Sequence, residues 1–461
     1  MDSILRENLD QHFNEKGPYY TSYPTRGEWK NDFGSETYLE SLKDFYATHD
    51  KDTPVHLYIH IPYCAKLCYY CICNIKVSNN RDTIQGFVDL LLKEISMLNT
   101  FFEENHIKPF IREMHLGGGT PSHLAHDQLK EIVDALGSFV DFKRCEEFSM
   151  EIDPRTIKDG DLPYYASLGV QRISFGVQDF NPKVQEAINR VQPREMVEKL
   201  ISGDIRRYFS GLNFDLLYGL PYQTRETFRE TVQITNELKP DRVTLLKYAH
   251  VPEVRPHMQL IKADTLPHEE EIPFMFYDAV NGLTSAGYKW VGIDNFALPT
   301  DELGKAVDKR TVGRNFGGFT PGRTKHLIGL GPSTTFSFGK YYCQSTSDTD
   351  EYMRIIAEGR FPMKQGHVLG PDEELRREAI FSLICNLHID FDAYSREFDV
   401  DFREYFAEEI KRMRNEYVPR EYVKLTDNSI EVTELGRYFL RGIAKVFDLY
   451  HRDSEYRIAG P

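Results

Sequence analysis

Residues 56–74 read HLYIHIPYCAKLCYYCICN, and this stretch decides the fold. Its first six residues, HLYIHI, form a short apolar and aromatic run that is typical of a strand covered on both faces. Four cysteines follow the strand, with the spacing C-x3-C-x2-C-x-C: Cys64, Cys68, Cys71 and Cys73. In α/β proteins with parallel strands, chemistry is found at the carboxyl ends of the strands, so this loop is a candidate functional segment.

Short apolar runs and amphipathic stretches alternate on the carboxyl-terminal side of this strand. The six strand candidates are His56–Ile61, Met114–Leu116, Phe148–Ile152, Arg172–Val177, Phe214–Tyr218 and Val243–Tyr248. Stretches with helical spacing, such as Gln85–Leu98 and His126–Val140, separate them. This alternation predicts an α/β fold with a parallel sheet, arranged as a partial or complete (β/α) barrel.

The rest of the chain has a different pattern. Gly313–Gly339 is rich in Gly, Thr and Phe, and we expect strands and turns there that extend the sheet. From about residue 366 the chain reads as mostly helical, with a hairpin signal at Lys424–Thr433. Helices followed by a hairpin also occur in winged-helix DNA-binding domains, but the many acidic residues here favour a cap or substrate cover.

Composition excludes several classes of protein. The 461 residues include 56 Lys+Arg and 71 Asp+Glu, a formal charge of −15 that argues against broad nucleic-acid binding. A hydrophobic content of 41% indicates a globular protein, and no apolar run is long enough to cross a membrane. The amino-terminal residues lack the apolar stretch of a signal peptide, so we expect a cytoplasmic protein.

The cysteines point to a metal. Thiolates are soft ligands that suit zinc or iron–sulfur clusters. Structural zinc sites usually combine two separated cysteine pairs, whereas one loop can place three thiolates on three corners of a [4Fe–4S] cube and leave the fourth iron open. Zinc stays the alternative. The isolated Cys145, Cys343 and Cys385 are interpreted as small buried hydrophobic residues.

A longer set of motifs identifies a resemblance. These motifs are GPYYTSYPT, YIHIPYCAKLCYYCICN, HLGGGTPSHL, MEIDPRTI, FGVQDFNPKVQEAINR, NFDLLYGLPYQT and KYAHVP. Together they resemble the oxygen-independent coproporphyrinogen III dehydrogenase branch of the radical S-adenosylmethionine (SAM) superfamily, over nearly the whole chain. The resemblance implies an amino-terminal extension at residues 1–50, a partial (β/α)6 barrel with a sheet extension at 51–345, and a mostly helical domain at 346–461.

The resemblance also assigns residues. It implies that Cys64, Cys68 and Cys71 hold a [4Fe–4S] cluster, that Cys73 and Tyr58 are catalytic, and that Tyr58 and Tyr70 lie beside SAM. The other implied SAM contacts are Gly117, Gly118, Gly119, Thr120, Glu151, Gln178, Arg190, Asp215 and Ala249. Ordinary packing or surface roles are the alternatives for each residue taken singly.

The chain also departs from the family pattern. Gly317 and Thr335 align with ligands of a second SAM, where the family prototype has Gln and Ile, so the sequence leaves open whether a second molecule binds. Tyr19, Asn295 and Leu298 replace Arg, His and Arg. Because the implied substrate carries four carboxylates, these losses matter, and Arg26, Arg314 or Arg323 are candidates to compensate.

Three functions follow as hypotheses. The first is reductive cleavage of SAM to a 5′-deoxyadenosyl radical that starts the anaerobic oxidative decarboxylation of coproporphyrinogen III propionates to vinyl groups. The second is a related methyltransferase or cyclopropanase that uses two SAM molecules on an aromatic or quinone-like acceptor. The third is a heme-binding or trafficking protein. For the enzymes we expect a monomer supplied with electrons by a reductase, flavodoxin or ferredoxin, with no nucleic acid or membrane partner.

Overall fold

The structure is a computed structural model, and it describes residues 3–13, 17–203 and 205–453. The strands are β1 Pro54–Ile61, β2 Tyr63–Cys64, β3 Lys76–Val77, β4 Phe110–Gly118, β5 Glu147–Ile152, β6 Arg172–Gln178, β7 Gly211–Tyr218, β8 Arg242–Lys247, β9 Lys289–Val291, β10 Asn295–Ala297, β11 Gly313–Asn315, β12 Gly318–Thr320, β13 His326–Leu330, β14 Thr335–Phe338, β15 Tyr341–Ser345, β16 Met363–Val368, β17 His388–Asp390, β18 Val423–Leu425 and β19 Ser429–Val432.

The helices contain more residues than the strands. They are α1 Ser3–His12, α2 Ser35–Thr48, α3 Arg81–Glu104, α4 His126–Leu136, α5 Asp161–Ser167, α6 Pro182–Ala187, α7 Arg194–Ile201, α8 Ile205–Tyr208, α9 Arg225–Leu238, α10 Ile272–Ser285, α11 Glu302–Lys309, α12 Thr349–Ala357, α13 Pro371–Asn386, α14 Phe391–Phe398, α15 Phe402–Tyr405, α16 Ala407–Arg412 and α17 Leu440–Ala444. Among the described residues, none of these helices has the length and hydropathy of a membrane span.

The chain forms two compact units, each built from separate segments. The first, called the sheet unit, comprises Lys30–Pro267 and Thr324–Val368. The second, called the helical unit, comprises Met1–Trp29, His268–Arg323 and Leu369–Pro461. The boundaries at about residues 50 and 345 that the sequence suggests stay a prediction.

The sheet unit is organised around β1. Its strands, apart from the small β2–β3 pair, lie in the order β16-β15-β14-β13-β1-β4-β5-β6-β7-β8. β1 is parallel to both neighbours, β4 and β13, and the pairing stays parallel through to β8. Helices α3, α4, α5 and α9 follow β1, β4, β5 and β7 along the chain. The predicted α/β class, with six parallel strands in chain order, is therefore confirmed.

The expected sheet extension is right for only half of its range. β13 and β14 join the sheet, and β13 lies directly beside β1. β11 and β12 instead pair only with each other, as a hairpin of the helical unit. Val312 and Phe319 are buried in the core of that unit with Ile380 and Leu383 of α13, and this apolar packing holds the hairpin there.

The helical unit has its own core and a small sheet. β17, β19 and β18 form this sheet, which contains the predicted hairpin at Lys424–Thr433. The GPYYTSYPT segment belongs to the same unit. The buried Tyr20 hydroxyl donates to Asp448 Oδ2 at 2.8 Å, and the Leu449 N–H donates to the Tyr23 hydroxyl at 3.2 Å.

A buried carboxyl group lies inside the sheet unit, on helix α3. Glu94 is 1% exposed, and its Oε2 accepts hydrogen bonds from the Tyr352 hydroxyl at 2.6 Å and the Gly331 N–H at 2.9 Å. Its Oε1 has no hydrogen-bond partner. Burial raises the pKa of Glu94 to about 7, although both hydrogen bonds oppose the shift.

This shift predicts a pH-dependent stability. The folded state favours the protonated carboxyl group. The contribution of Glu94 to the free energy of unfolding is therefore fully present below pH 4.5 and is lost as pH rises to 7. We expect a loss of about 3 kcal/mol of unfolding free energy from this one group. In Glu94→Gln that part of the pH dependence should disappear, as measured by denaturant unfolding at pH 5, 6, 7 and 8.

Glu103→Gln is the matched control, because Glu103 lies exposed on the same helix. A plot of its unfolding free energy against pH should stay parallel to that of the wild type. Parallel curves for Glu94→Gln and the wild type would contradict the assignment.

Candidate active site

β1 has two chemically different faces. Leu57, Ile59 and Ile61 are fully buried apolar side chains, whereas Tyr58 and His60 alternate with them on the other face. The Tyr58 hydroxyl and His60 Nδ1 are 3.1 Å apart, and His60 Nε2 lies 2.8 Å from the carbonyl oxygen of residue 74. Since a carbonyl only accepts, Nε2 carries the proton. Burial lowers the pKa of His60, so the neutral ring accepts at Nδ1 from Tyr58.

The cysteine loop follows β1, and its backbone is held by side chains from distant segments. The Leu67 carbonyl accepts from Asn189 Nδ2 at 2.7 Å. The Cys71 carbonyl lies 2.7 Å from His257 Nε2, and the Ile72 carbonyl accepts from Arg255 at 2.7 and 3.0 Å. The β2–β3 pair closes the loop. These bonds satisfy three carbonyl groups of an irregular segment that lacks the backbone pairing of a helix or strand.

The four thiols of the loop are free and unequally exposed. Cys64 and Cys68 are buried, Cys71 is half-buried and Cys73 is exposed. The Thr120 hydroxyl lies 3.3 Å from Cys64 Sγ and donates to it. Burial raises the pKa of Cys64 to about 12, and the adjacent Cys73 thiol together with burial raises that of Cys71. These groups become thiolates only when a cation replaces the proton.

The donor set fits an iron–sulfur cluster. Three soft sulfur donors lie close together on one loop, and two of them already receive hydrogen bonds from neighbouring side chains. Among the described residues, no group of three or more His, Cys, Asp or Glu side chains converges on a single metal ion.

A glycine run ends β4 beside the loop. Gly118 has a φ of +111°, and a Cβ there would lie 2.6 Å from the His60 ring. A Cβ at Gly119 would lie 2.9 Å from the Ile61 carbonyl oxygen, and the Gly119 N–H donates to that oxygen at 2.7 Å. A Cβ at Gly117 would lie 2.9 Å from Glu151 Oε1. Only glycine allows this close approach of the two strand ends.

Glu151 links the glycine run to the face of β1. Its Oε2 accepts from the Gly118 N–H at 3.0 Å, and its Oε1 lies 3.3 Å from His115 Nε2. The His115 ring stacks on Tyr58, with ring centres 5.8 Å apart and planes 12° from parallel. The ends of β1, β4 and β5 therefore form one polar surface.

The next two strands add a second carboxyl group and a backbone irregularity. Asp215 on β7 accepts from the Ser174 hydroxyl and from Asn213 Nδ2, each at 2.8 Å. Burial and the charge of Glu151 raise its pKa. Gln178 at the end of β6 has a φ of +65° where the register with β7 shifts.

Arg190 connects this surface to the cysteines. Its Nε and Nη2 donate to the Gly176 carbonyl at 3.0 and 2.7 Å. Its Nη1 lies 3.5 Å from Cys68 Sγ and 3.3 Å from Asp153 Oδ2. Burial alone would raise the pKa of Asp153, but Arg190 and Arg155 outweigh burial and lower it.

The remaining predicted site residues are spread more widely. Tyr70 packs on the apolar cluster that contains Val184 and Ile188, and Ala249 lies just after β8. Thr335 begins β14, which is separated from β1 by β13. Gly317 lies in the β11–β12 turn of the helical unit, where its N–H donates to Asn315 Oδ1 at 2.7 Å.

The candidate compensating arginines lie in the helical unit. The Arg314 guanidinium is buried between the rings of Tyr19 and Phe319, 4.7 and 4.3 Å from their centres. Arg26 is exposed, and the side chain of Arg323 lies outside the described part of the chain.

Sequence reasoning gave no role to several residues of this surface. His60, His115, Asp153 and Arg155 contact predicted site residues, and Asn189 bonds Arg155 and the Leu67 carbonyl of the cysteine loop. The alternation of Tyr58 and His60 with apolar residues was a usable signal, because it marks a strand face that is not ordinary core.

Known proteins match this arrangement over nearly the whole chain. Residues 58–234 match the model of the radical SAM superfamily, and residues 369–439 match the HemN C-terminal domain. The oxygen-independent coproporphyrinogen III oxidase of Escherichia coli is 35% identical, over 97% of this chain and 95% of that protein. The Helicobacter pylori protein of the same name is 33% identical, over 99% and 98%.

A solved structure agrees with these matches. The structure of E. coli coproporphyrinogen III oxidase (HemN), described as a radical SAM enzyme, superposes with a TM-score of 0.87 and 34% identity, covering 94% of this chain and 97% of that one. The chain therefore belongs to the oxygen-independent coproporphyrinogen III oxidase family of the radical SAM superfamily, and it is an oxidoreductase with a [4Fe–4S] cluster and SAM as cofactors.

Proposed function

We propose that this enzyme catalyses the anaerobic oxidative decarboxylation of propionate side chains of coproporphyrinogen III to vinyl groups. The observation that carries the proposal is the match to coproporphyrinogen III oxidases along both units, from the cysteine loop to the carboxyl-terminal region. A porphyrinogen substrate is also consistent with a site built at strand ends, where a large ligand has access.

The cofactor contacts are part of the same proposal. Cys64, Cys68 and Cys71 hold the cluster, and Cys73 stays free on the exposed side of the loop. When bound, the cluster and SAM would supply an electron and a 5′-deoxyadenosyl radical able to take a hydrogen atom from the propionate, which becomes a vinyl group on losing CO2 and one electron to an acceptor. The thiols are buried or half-buried on a loop with bonded carbonyls, which supports their role as fixed ligands.

The other strand ends form the proposed SAM site. Gly117–Thr120 let the ligand approach the backbone, and Glu151, Gln178 and Asp215 offer polar atoms to its hydroxyl and amino groups. Arg190 donates to the Gly176 carbonyl through Nε and Nη2 and to Asp153 through Nη1, so it offers a carboxylate its positive charge. Tyr58 and Tyr70 supply aromatic surface, and Ala249 a backbone contact.

Tyr58 and His60 hold a defined proton arrangement beside this site. Since neutral His60 accepts from the Tyr58 hydroxyl, the phenol proton points along β1 and not into the site. Burial raises the pKa of Tyr58, so the phenol stays neutral at physiological pH. The pair therefore offers ring surface and no mobile charge.

The proposal extends to the electron donor, the oligomeric state and the compartment. One-electron reduction needs a donor such as a reductase, flavodoxin or ferredoxin, and we propose that the enzyme acts as a monomer. All seven cysteines are free, which supports a reducing compartment such as the cytoplasm.

The first test is the reaction itself. Anaerobic incubation with reductant, SAM and coproporphyrinogen III should give 5′-deoxyadenosine, methionine, CO2 and a vinyl-bearing porphyrinogen, measured by mass spectrometry. S-adenosylhomocysteine with a methylated product would favour the methyltransferase hypothesis. The absence of 5′-deoxyadenosine with an intact cluster would favour the heme-trafficking hypothesis.

The second test concerns the ligands. Alanine at Cys64, Cys68 or Cys71 should remove most of the bound iron and abolish 5′-deoxyadenosine formation, because two thiolates do not hold the cluster. Cys73→Ser is the matched control on the same loop. This variant should keep the iron content and the iron–sulfur absorbance at about 400 nm, but its substrate turnover should be impaired. Full cleavage activity in any of the three alanine variants would contradict the ligand set.

The third test concerns the glycine run. Gly118→Ala adds a Cβ that strains the backbone and meets the His60 ring, so we expect a loss of about 1–3 kcal/mol in stability and weaker SAM binding. Gly160→Ala is the control, since Gly160 has a φ of +93° but nothing within 4 Å of its Cβ position. Denaturant unfolding and equilibrium SAM binding measure both variants. Equal SAM affinity in Gly118→Ala and the wild type would contradict a close backbone approach at this site.

A further inference from the structure

Two guanidinium groups and one carboxylate surround the sulfur of Cys68. Arg155 Nη2 lies 3.3 Å from Cys68 Sγ, and Arg190 Nη1 lies 3.5 Å from it. Asp153 pairs with both arginines, at 2.6 Å from Arg155 and 3.3 Å from Arg190. Two positive charges and one negative charge leave a net charge of +1 beside this sulfur.

Arg155 is held on the sulfur from several sides. Its Nε donates to both oxygens of Asp153, at 3.0 and 3.2 Å, and its Nη2 donates to Oδ2 at 2.6 Å. Its Nη1 donates to the Asn189 carbonyl at 3.0 Å, and Asn189 in turn donates to the Leu67 carbonyl next to Cys68. The Arg155 side chain is 15% exposed. The guanidinium is therefore fixed relative to the cysteine loop.

Arg155 and Arg190 are not equivalent. Arg190 directs two of its nitrogen atoms to the Gly176 carbonyl, and its contact to Cys68 is the longer of the two. Arg155 makes the shorter contact, through an Nη2 that also donates to Asp153 Oδ2. Arg155 therefore holds the nearer of the two guanidinium nitrogens on the sulfur.

A hydrogen bond and a positive charge on a ligand sulfur stabilise the reduced, more negative state of an iron–sulfur cluster. We propose that Arg155 is a positioning residue that raises the reduction potential of the cluster by holding an N–H donor and a positive charge on Cys68 Sγ. The inference rests on the proposed ligand role of Cys68. It assigns Arg155 the task of making the one-electron reduction of the cluster more favourable.

The test is a redox titration followed by electron paramagnetic resonance, on anaerobically reconstituted protein without SAM or porphyrinogen. In Arg155→Met the equilibrium constant for reduction should fall about tenfold, which is about 59 mV toward lower potential for one electron. Arg155→Lys keeps the charge but not the two-point pairing with Asp153, so its midpoint should fall by less. Arg229→Met is the control, because Arg229 is an exposed residue of α9 that pairs with Glu226, and its midpoint should match that of the wild type.

Iron and sulfide are counted in every variant, since a merely structural residue would change cluster content and leave the midpoint of the remaining cluster unchanged. An unchanged midpoint in Arg155→Met at wild-type iron content would overturn the proposal. If Arg155→Met binds too little iron to titrate, Arg155→Lys decides, and a wild-type midpoint there would overturn it. Full iron content in Cys68→Ala would instead show that the ligand assignment is wrong, which separates the two failures.

Discussion

The cysteine loop must point its sulfur atoms to one side while its own backbone stays satisfied, and the rest of the sheet unit is arranged around that constraint. A helix would also place residues i, i+4 and i+7 on one face, but spread over about 10 Å along its axis, whereas an irregular loop can curve three thiols around one compact cluster. The loop instead receives hydrogen bonds from Asn189, Arg255 and His257, each far from it along the chain. These donors replace missing backbone partners of the loop.

The parallel sheet places the rest of the site. Since β1 and β4–β8 run the same way, their carboxyl ends meet at one edge, and the residues after each strand become neighbours. Glu151 and Asp215 lie close enough for the charge of one to raise the pKa of the other. Positive charge is concentrated on the sulfur side, where Arg155 and Arg190 outnumber Asp153. The edge therefore separates an anionic region that suits hydroxyl and ammonium groups from a cationic region beside the thiols.

Much of this could be predicted from the sequence, for identifiable reasons. The six parallel strands are visible as short runs rich in buried apolar residues, and the cysteine spacing is specific enough to indicate a cluster. The place of β13 beside β1 could not be predicted, since that pairing joins segments about 270 residues apart and no local pattern encodes it. The β11–β12 hairpin was assigned to the sheet because its composition resembles a strand, whereas Val312 and Phe319 bury it elsewhere. The donors to the loop were missed for the same reason as β13, because they lie 122 to 186 residues away from the carbonyls they bond.

The central claim is that three thiolates of one loop hold an iron cube with one iron free for SAM. Mössbauer spectroscopy of protein reconstituted with ⁵⁷Fe, recorded with and without SAM, tests it most directly. We expect a [4Fe–4S] spectrum in which one iron of the four changes its isomer shift when SAM is added. A spectrum that SAM leaves unchanged, or a preparation that binds zinc in place of iron, would contradict it.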